Sequence, residues 1–421
     1  MIMVEQFAPW IDGNLERIAE RLSAYLAIDT VSPREGDAFD FLHEYLQEAG
    51  FATREVPIFA ETLEHNDACP SPPSRINSGG RKNFCAHYRA DDTTETVIVS
   101  CHIDVVPAPT WPEAFTPRVV DGIVHGRGAC DTKGNLVMLV EAIRFLRESK
   151  VALTKNIDFQ GVIEEEIGGN GALSMVLQER SRAQAALILE PTSLRLYRGH
   201  RGCLGFTLTV HGAAAHMGAS VNAIGPVQAA ALFVEEMTRV EERLIHEARR
   251  EPAFDEWPRP IQVNVGRIEG GEWHGTIVDR CRVMVNMGFP PSCGLEKAKA
   301  IVEQAVRQLR EKCGLAIDVV YDGIRNDAYL DPVQSRLIDA MNRALLDSGV
   351  EVGSVNAWNV SCDGRTYAKH LGIPTLIFGC GDLKDAHSNH ESLKLDSLVK
   401  GIRVMSSFFS ASASEKTFSV S

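Results

Sequence analysis

The sequence predicts an α/β protein in which a helix-covered sheet is interrupted by a self-contained two-layer unit. Three observations carry this. Short β-branched runs alternate with helical periodicity from Thr96 to Leu189, the pattern changes near Tyr197 to a β-α-β-β-α-β order, and the first pattern returns after Tyr321. With 421 residues the chain is too long for one small core, which suits two domains or one large domain carrying an insertion.

From Asn14 to Ala49 apolar residues recur at helical spacing on two segments, split around Ile28 to Gly36 by a Thr/Ser/Pro/Gly cluster, so two helices are expected. The stretch from Glu61 to Asp92, rich in Pro, Ser, Asn and Gly, reads as a long surface loop with one short strand around Phe84 to Tyr88. Then follow strand Thr96 to Ser100, helix Gly134 to Glu148, strand Ile157 to Ile163, helix Gly171 to Gln178 and strand Ala185 to Leu189. The second pattern comprises strand Gly205 to His211, a helix from about Gly225 to Arg249, strands near Gln262 to Ile268 and Thr276 to Gly288, helix Leu295 to Cys313 and strand Ala316 to Tyr321. The return supplies helix Pro332 to Ser348, the segment Asp363 to His370, strand Thr375 to Phe378, a final helix near Leu395 to Phe409 and a Ser-rich frayed tail. Domain boundaries are therefore expected at 1–196, 197–322 and 323–421, the middle span being inserted into a domain built from the outer two. Tyr197 to Arg201, with its short basic cluster, reads as the junction.

Apolar content of 44% with 24% charged residues is that of a globular protein, and a net charge of -13 argues against nucleic acid, whose phosphates need clustered Lys and Arg. Of the ten cysteines, Cys101, Cys130, Cys281 and Cys362 lie in strand-like or motif segments and not in a spaced extracellular framework, which predicts a reducing compartment. The start has no basic segment ahead of an apolar run, and no apolar stretch is long enough to span a bilayer. A cytoplasmic protein without membrane partners is expected. Cys101, Cys130, Cys362 and Cys380 lack Cys-x-x-Cys spacing and read as small buried neighbours of the candidate site. Gly126 and Gly128 lack the third glycine and the lysine spacing of a nucleotide loop.

Five segments place a possible metal ligand just past a predicted strand or just before a predicted helix: His102 with Asp104, Asp131, Glu164 to Glu166, Glu190, and His387. Ligands in α/β sheets gather at the carboxyl ends of strands, so the five are expected to converge on one edge. Each alone has a plainer reading. A His-x-Asp pair also makes a hydrogen-bonded turn, Asp131 also suits a helix N-cap, and a run of three glutamates is commonly a solvated cluster. Here that run directly follows an apolar strand and precedes Gly168-Gly169, where solvating three carboxylates is awkward, so cations are expected to neutralise part of the charge. Histidine with carboxylates suits Zn, Co or Mn, not an iron-sulfur cluster.

Seven motifs stand in order along the chain: CHIDVVP from Cys101, GRGACDTKGN from Gly126, EEEIGGNG from Glu164, LEPTS from Leu189, GAAAH ending at His216, SCDGR ending at Arg365, and DAHSNHE containing His387. Together they resemble the M20 metallopeptidase family, which includes acetylornithine deacetylase, succinyl-diaminopimelate desuccinylase, aminoacylase and glutamate carboxypeptidase. The resemblance implies an exopeptidase-like catalytic domain with a central mixed sheet flanked by helices, plus an inserted ferredoxin-like dimerisation (lid) domain. It implies two divalent cations, with Zn favoured and Co or Mn as alternatives. Asp131 would bridge them, Glu166 and His387 would complete one site, and His102 and Glu190 the other. Asp104 would orient the His102 ring, and Glu165 would act as general base, passing a proton from the attacking water to the leaving nitrogen. His216 would stabilise the oxyanion in the other subunit of a homodimer; its plainer reading is a turn cap. Arg365 would bind a substrate carboxylate, against an ion pair with Asp363.

Three positions depart from the family pattern. Asn286-Met287-Gly288 stands where the inserted domain's strand usually ends Asp-x-Arg, Gly275 replaces an Asn, and His390 replaces an Asn or Asp before Glu391. The expected function is hydrolysis of an amide in a small molecule: an N-acyl amino acid, a small peptide or a related carboxylate-bearing amide. Gly288 keeps open a carbamoyl, formyl or aromatic amine substrate. A metal-binding relative without turnover is the remaining alternative, and an intact Glu165 and His216 argue against it.

Overall fold

Four parallel strands lie at the centre of the large sheet, in the spatial order Asn156–Val162, Thr96–His102, Ala185–Leu189, Thr375–Phe378. Every residue of these four strands is buried. That is why Ala185–Leu189 and Thr375–Phe378 read as continuous apolar runs, helices covering both faces of a parallel sheet, while Asn156–Val162 carries the buried polar residues Asn156, Asp158 and Gln160. The computed structural model describes residues 2–64, 80–91, 93–179, 181–219 and 224–411. The Ser-rich end (412–421) and much of the expected long loop (65–79) fall outside them.

Antiparallel strands extend the sheet. Lys82–Tyr88 and then Ala52–Pro57 add to one side; Tyr197–His200 and Tyr329–Leu330 add to the other, with Asn356–Trp358 pairing Tyr197–His200 in parallel. The expected mixed sheet is thus present, nine strands in all. The chain runs from Thr96–His102 to a neighbour on one side and then crosses to Ala185–Leu189 on the other. A crevice opens at the carboxyl ends of strands where the order reverses in this way.

The inserted unit has its own antiparallel sheet, ordered Val263–Glu269, Arg280–Phe289, Gly202–His211, Ala316–Val320. Two helices, Pro226–Ala248 and Gly294–Cys313, share a separate apolar core with it through Phe206, Phe233, Met237, Val283 and Val302. This is the two-layer arrangement that the β-α-β-β-α-β order predicts. The first helix starts where it does because Pro226 occupies its first turn and the Gln228 side chain accepts the Gly225 N–H at 3.2 Å.

Several elements differ from expectation. Ala52–Pro57 is a strand that the sequence reading lacks, and Tyr197–His200, read as a junction, forms part of the large sheet. The strand expected over Thr276 to Gly288 is two, Thr276–Ile277 pairing Ala215–His216 and Arg280–Phe289 joining the main sheet. The helix expected from Pro332 begins at Arg336, because the Ser335 side chain caps it by accepting the Leu337 N–H at 3.3 Å. Among the described residues no helix is long and apolar enough to cross a membrane.

Candidate metal centre

The structure brings all five expected ligands to the carboxyl edge of the parallel strands. His102 ends its strand, Glu166 lies in the turn after Asn156–Val162, and Glu190 directly follows Ala185–Leu189. Asp131 sits in the turn ahead of helix Gly134–Glu148, and His387 in the loop between Thr375–Phe378 and Ser392–Lys394. They form two triads that share Asp131: His102, Asp131 and Glu190, and Asp131, Glu166 and His387, with the ligand atoms of each within 4.8 Å of one another.

The separations fit cations. His102 Nε2 faces Asp131 Oδ1 at 2.9 Å; His387 Nε2 faces Asp131 Oδ2 at 3.3 Å and Glu166 Oε2 at 2.9 Å. Two ligand atoms held at the usual Zn distances around a tetrahedral ion lie about 3.4 Å apart, so only small adjustments would be needed. Buried oxygens await partners as well: Glu166 Oε1 and both carboxylate oxygens of Asp363 have no hydrogen bond. Glu165 belongs to neither triad.

Charge supports the same reading. Asp104, Asp131, Glu190 and Asp363 are all buried here, with Glu165 and Glu166 beside them, against two histidines and Arg365. Burial drives the carboxyls of Glu165, Glu190 and Asp104 upward, Asp104 to about 8, and neighbouring carboxylates add to the shift. Hydrogen bonds to Asp131 and Glu166 lift His387 to about 11. For His102 burial works downward, but Asp131 and the surrounding acids outweigh it and hold the ring well above the ordinary histidine range. Burial likewise raises Asp131, yet the two rings overcome it and keep this carboxyl well below its usual range.

The surrounding acids thus raise the proton affinity of both rings, and a cation needs the same ring lone pair that a proton takes. Metal affinity is expected to rise with pH below about 11, the His387 value, and zinc binding at neutral pH to release protons. Calorimetric titration in buffers of different ionisation enthalpy checks this; a binding heat independent of buffer would contradict it.

Other residues fix the ligands in place. Asp104 does so differently from expectation: His102 Nδ1 lies 2.9 Å from the Asp104 backbone carbonyl and 3.7 Å from its carboxylate. The carboxylate instead accepts the backbone N–H of Glu165 at 3.2 Å and of Glu166 at 3.1 Å. Glu164, at a left-handed φ of 64°, is fully buried, pairs with Arg81 and accepts from Asn170 at 3.1 Å. The three consecutive glutamates thus have three environments, and only part of their charge is left for cations.

Glu391 and Arg127 were not recognised from sequence as site residues. Their buried pair, at 2.6 Å, places a Glu391 oxygen where it accepts the Asp131 N–H at 3.1 Å. Arg127→Ala is expected to destabilise the protein by about 3–5 kcal/mol, since it leaves a buried carboxylate unpaired. Urea unfolding measures this, and an unchanged midpoint would contradict the pairing.

The remaining two expected residues belong to neither triad. His216 is exposed on the inserted unit, its Nδ1 accepting the Gly218 N–H at 3.1 Å. Arg365 is 6% exposed, and its terminal nitrogens donate to the backbone carbonyls of Cys362 and, at 2.8 Å, of Gly168. Its nearest Asp363 oxygen is 3.9 Å away.

Comparison with known proteins adds a family. The sequence profile described as Peptidase family M20/M25/M40 matches residues 98–411. A probable carboxypeptidase of Aspergillus terreus is 27% identical over 393 residues, covering 89% of this chain and 82% of the relative. An N-formyl-4-amino-5-aminomethyl-2-methylpyrimidine deformylase of Halalkalibacterium halodurans is 26% identical over 439 residues, covering 96% of each. Among solved structures, the di-peptidase Dug1p of Saccharomyces cerevisiae shares the fold, with a TM-score of 0.75 at 19% identity over 98% of this chain and 99% of that one. Because the profile runs through both triads, Glu165 and the whole inserted unit, the chain belongs to peptidase family M20/M25/M40 and is a hydrolytic enzyme.

Proposed function

We propose that this chain cleaves the C–N bond of an N-acyl amino acid, a small peptide or a related carboxylate-bearing amide, with Glu165 as general base beside two divalent cations. One observation carries the reading: a glutamate that belongs to neither ligand triad stands in the same turn as one that does. His102, Asp131 and Glu190 would hold one cation and Asp131, Glu166 and His387 the other, with Zn favoured and Co or Mn as alternatives. When bound, such ions supply Lewis acidity, acidifying water and polarising a carbonyl. Glu165 accepts the proton of the attacking water and returns it to the leaving nitrogen, a role that its burial favours by raising its proton affinity. Asp104 holds the Glu165 and Glu166 backbone amides and so fixes the turn that carries the base.

His216 of the partner subunit would donate to the oxyanion, making the enzyme a homodimer through the span 197–322, a lid on a catalytic domain formed by 1–196 and 323–421. The separate sheet and core of the inserted unit, and an exposed His216, support this. A cytoplasmic location belongs to the same proposal and is supported by nine described cysteines that are all free.

A second reading, hydrolysis of a formyl, carbamoyl or aromatic amine substrate, is favoured by the deformylase relative, which aligns over 96% of both chains, and by Gly288. The two separate in one screen. N-acyl amino acids, dipeptides, N-formyl amines and N-carbamoyl amines are offered to metal-stripped protein supplied with Zn, Co or Mn. Turnover confined to N-formyl or N-carbamoyl amines would select the second reading, and no turnover with any metal would refute both.

A further inference from the structure

The turn that carries Glu165 and Glu166 is fastened on several sides: Arg81 and Asn170 hold Glu164, and Asp104 holds the two backbone amides. A further fastening comes from Arg365, whose bond to Gly168 spans 197 residues of sequence. We propose that Arg365 is a positioning residue whose guanidinium fork ties this turn to the segment at Cys362 and so sets where the Glu165 carboxylate stands. The inference rests on the reading of Glu165 as general base.

The contact geometry argues for it step by step. Arg365 is almost wholly buried, and its two terminal nitrogens reach carbonyls on two separate segments, Cys362 and Gly168. A planar fork presents a separate nitrogen to each acceptor, whereas a lysine ammonium would have to reach both from one nitrogen. Gly168 is in turn bonded to the residue that matters, since its N–H donates to the Glu165 carbonyl at 3.0 Å. Arg365 is therefore linked to Glu165 through a single intervening residue, Gly168. Gly168 and Gly169 take left-handed φ values of 130° and 79°, which turn the backbone onto the Asp363–Arg365 side chains. A Cβ on Gly169 would meet Asp363 Oδ1 and lie 2.8 Å from Arg365 Nη2, so the turn rests directly on the clamp. Two of its five N–H donors are thus spent on backbone carbonyls, one from each terminal nitrogen, which gives this arginine a holding role whether or not a substrate carboxylate also approaches it.

The test uses Arg365→Lys and Arg365→Ala in the full-length, zinc-loaded protein, with two readouts. Hydrogen exchange of the amides from Glu165 to Gly169 needs no substrate, and faster exchange confined to that turn is expected in both variants. Steady-state kinetics then use the best amide from the screen above and its analogue with the carboxylate replaced by carboxamide. For Arg365→Ala, kcat is expected to fall about 10²-fold on both, with KM changed by less than about threefold, and Arg365→Lys is expected to recover part of kcat. Unchanged exchange in the turn, or a KM increase confined to the carboxylate-bearing substrate, would overturn the proposal. If no amide is cleaved even by the unmodified enzyme, the catalytic reading fails, while the exchange measurement still decides whether the clamp exists. Should Arg365→Ala fail to fold, Arg365→Lys carries both readouts.

Discussion

Glu165→Gln is expected to lower kcat by about 10²–10⁴-fold while the protein keeps its full complement of metal. The amide has the shape of the carboxyl but cannot take up a proton at neutral pH. Because Glu165 lies outside both triads, its loss removes no ligand. The backbone amide of residue 165 still donates to Asp104, so the turn should stay in place. Turnover and metal content are to be measured on one preparation, the latter by elemental analysis. Near-normal turnover would mean that another group accepts the proton, and loss of metal would mean that Glu165 is a ligand.

Asp131→Ala is expected to abolish binding of both ions together with all activity. Asp131 is the one residue common to the two triads, and its oxygens face His102 on one side and His387 on the other. Each triad would be left with two ligands, and the two rings would lose the carboxylate that neutralises them. The loss should exceed the roughly 10–100-fold typical of removing an outer-sphere partner. Glu166→Ala, by contrast, touches one triad only, so its zinc titration should retain a tight site. If Asp131→Ala bound two zinc ions as tightly as the unmodified protein, the shared-ligand geometry would be wrong.

The sequence was most informative where chemistry and periodicity coincide. Ala185–Leu189 and Thr375–Phe378 are found at their expected limits because each is a short apolar run bounded by Pro, Gly or polar residues. His102, Glu166 and Glu190 were legible as candidate ligands because each ends or closely follows a strand of the parallel sheet, whereas His387, in a loop between strands, was legible only through its motif. Ala52–Pro57 was missed for the opposite reason: it is an edge strand with Arg54 and Glu55 partly exposed, and its half-buried pattern carries little apolar signal. Its partner, Lys82–Tyr88, lies across a long insertion, so no hairpin turn announces the pairing. The supports of the site were hidden by distance as well. Arg127 meets Glu391 across 264 residues and Arg81 meets Glu164 across 83, and nothing local in either segment specifies the other. Asp104 illustrates a subtler limit, for its neighbour in sequence, His102, suggested a side-chain contact that its backbone carbonyl makes instead.

The order in which the ligands occur along the chain has a consequence for biosynthesis. Four of them precede the inserted unit, whereas His387, and the Glu391 that steadies Asp131, emerge from the ribosome only after that unit has been made. Domains form as they leave the ribosome, N-terminal parts first. A nascent chain can therefore fold the inserted unit while the triad of Asp131, Glu166 and His387 still lacks its histidine, and loading of a cation there would be one of the last events in maturation.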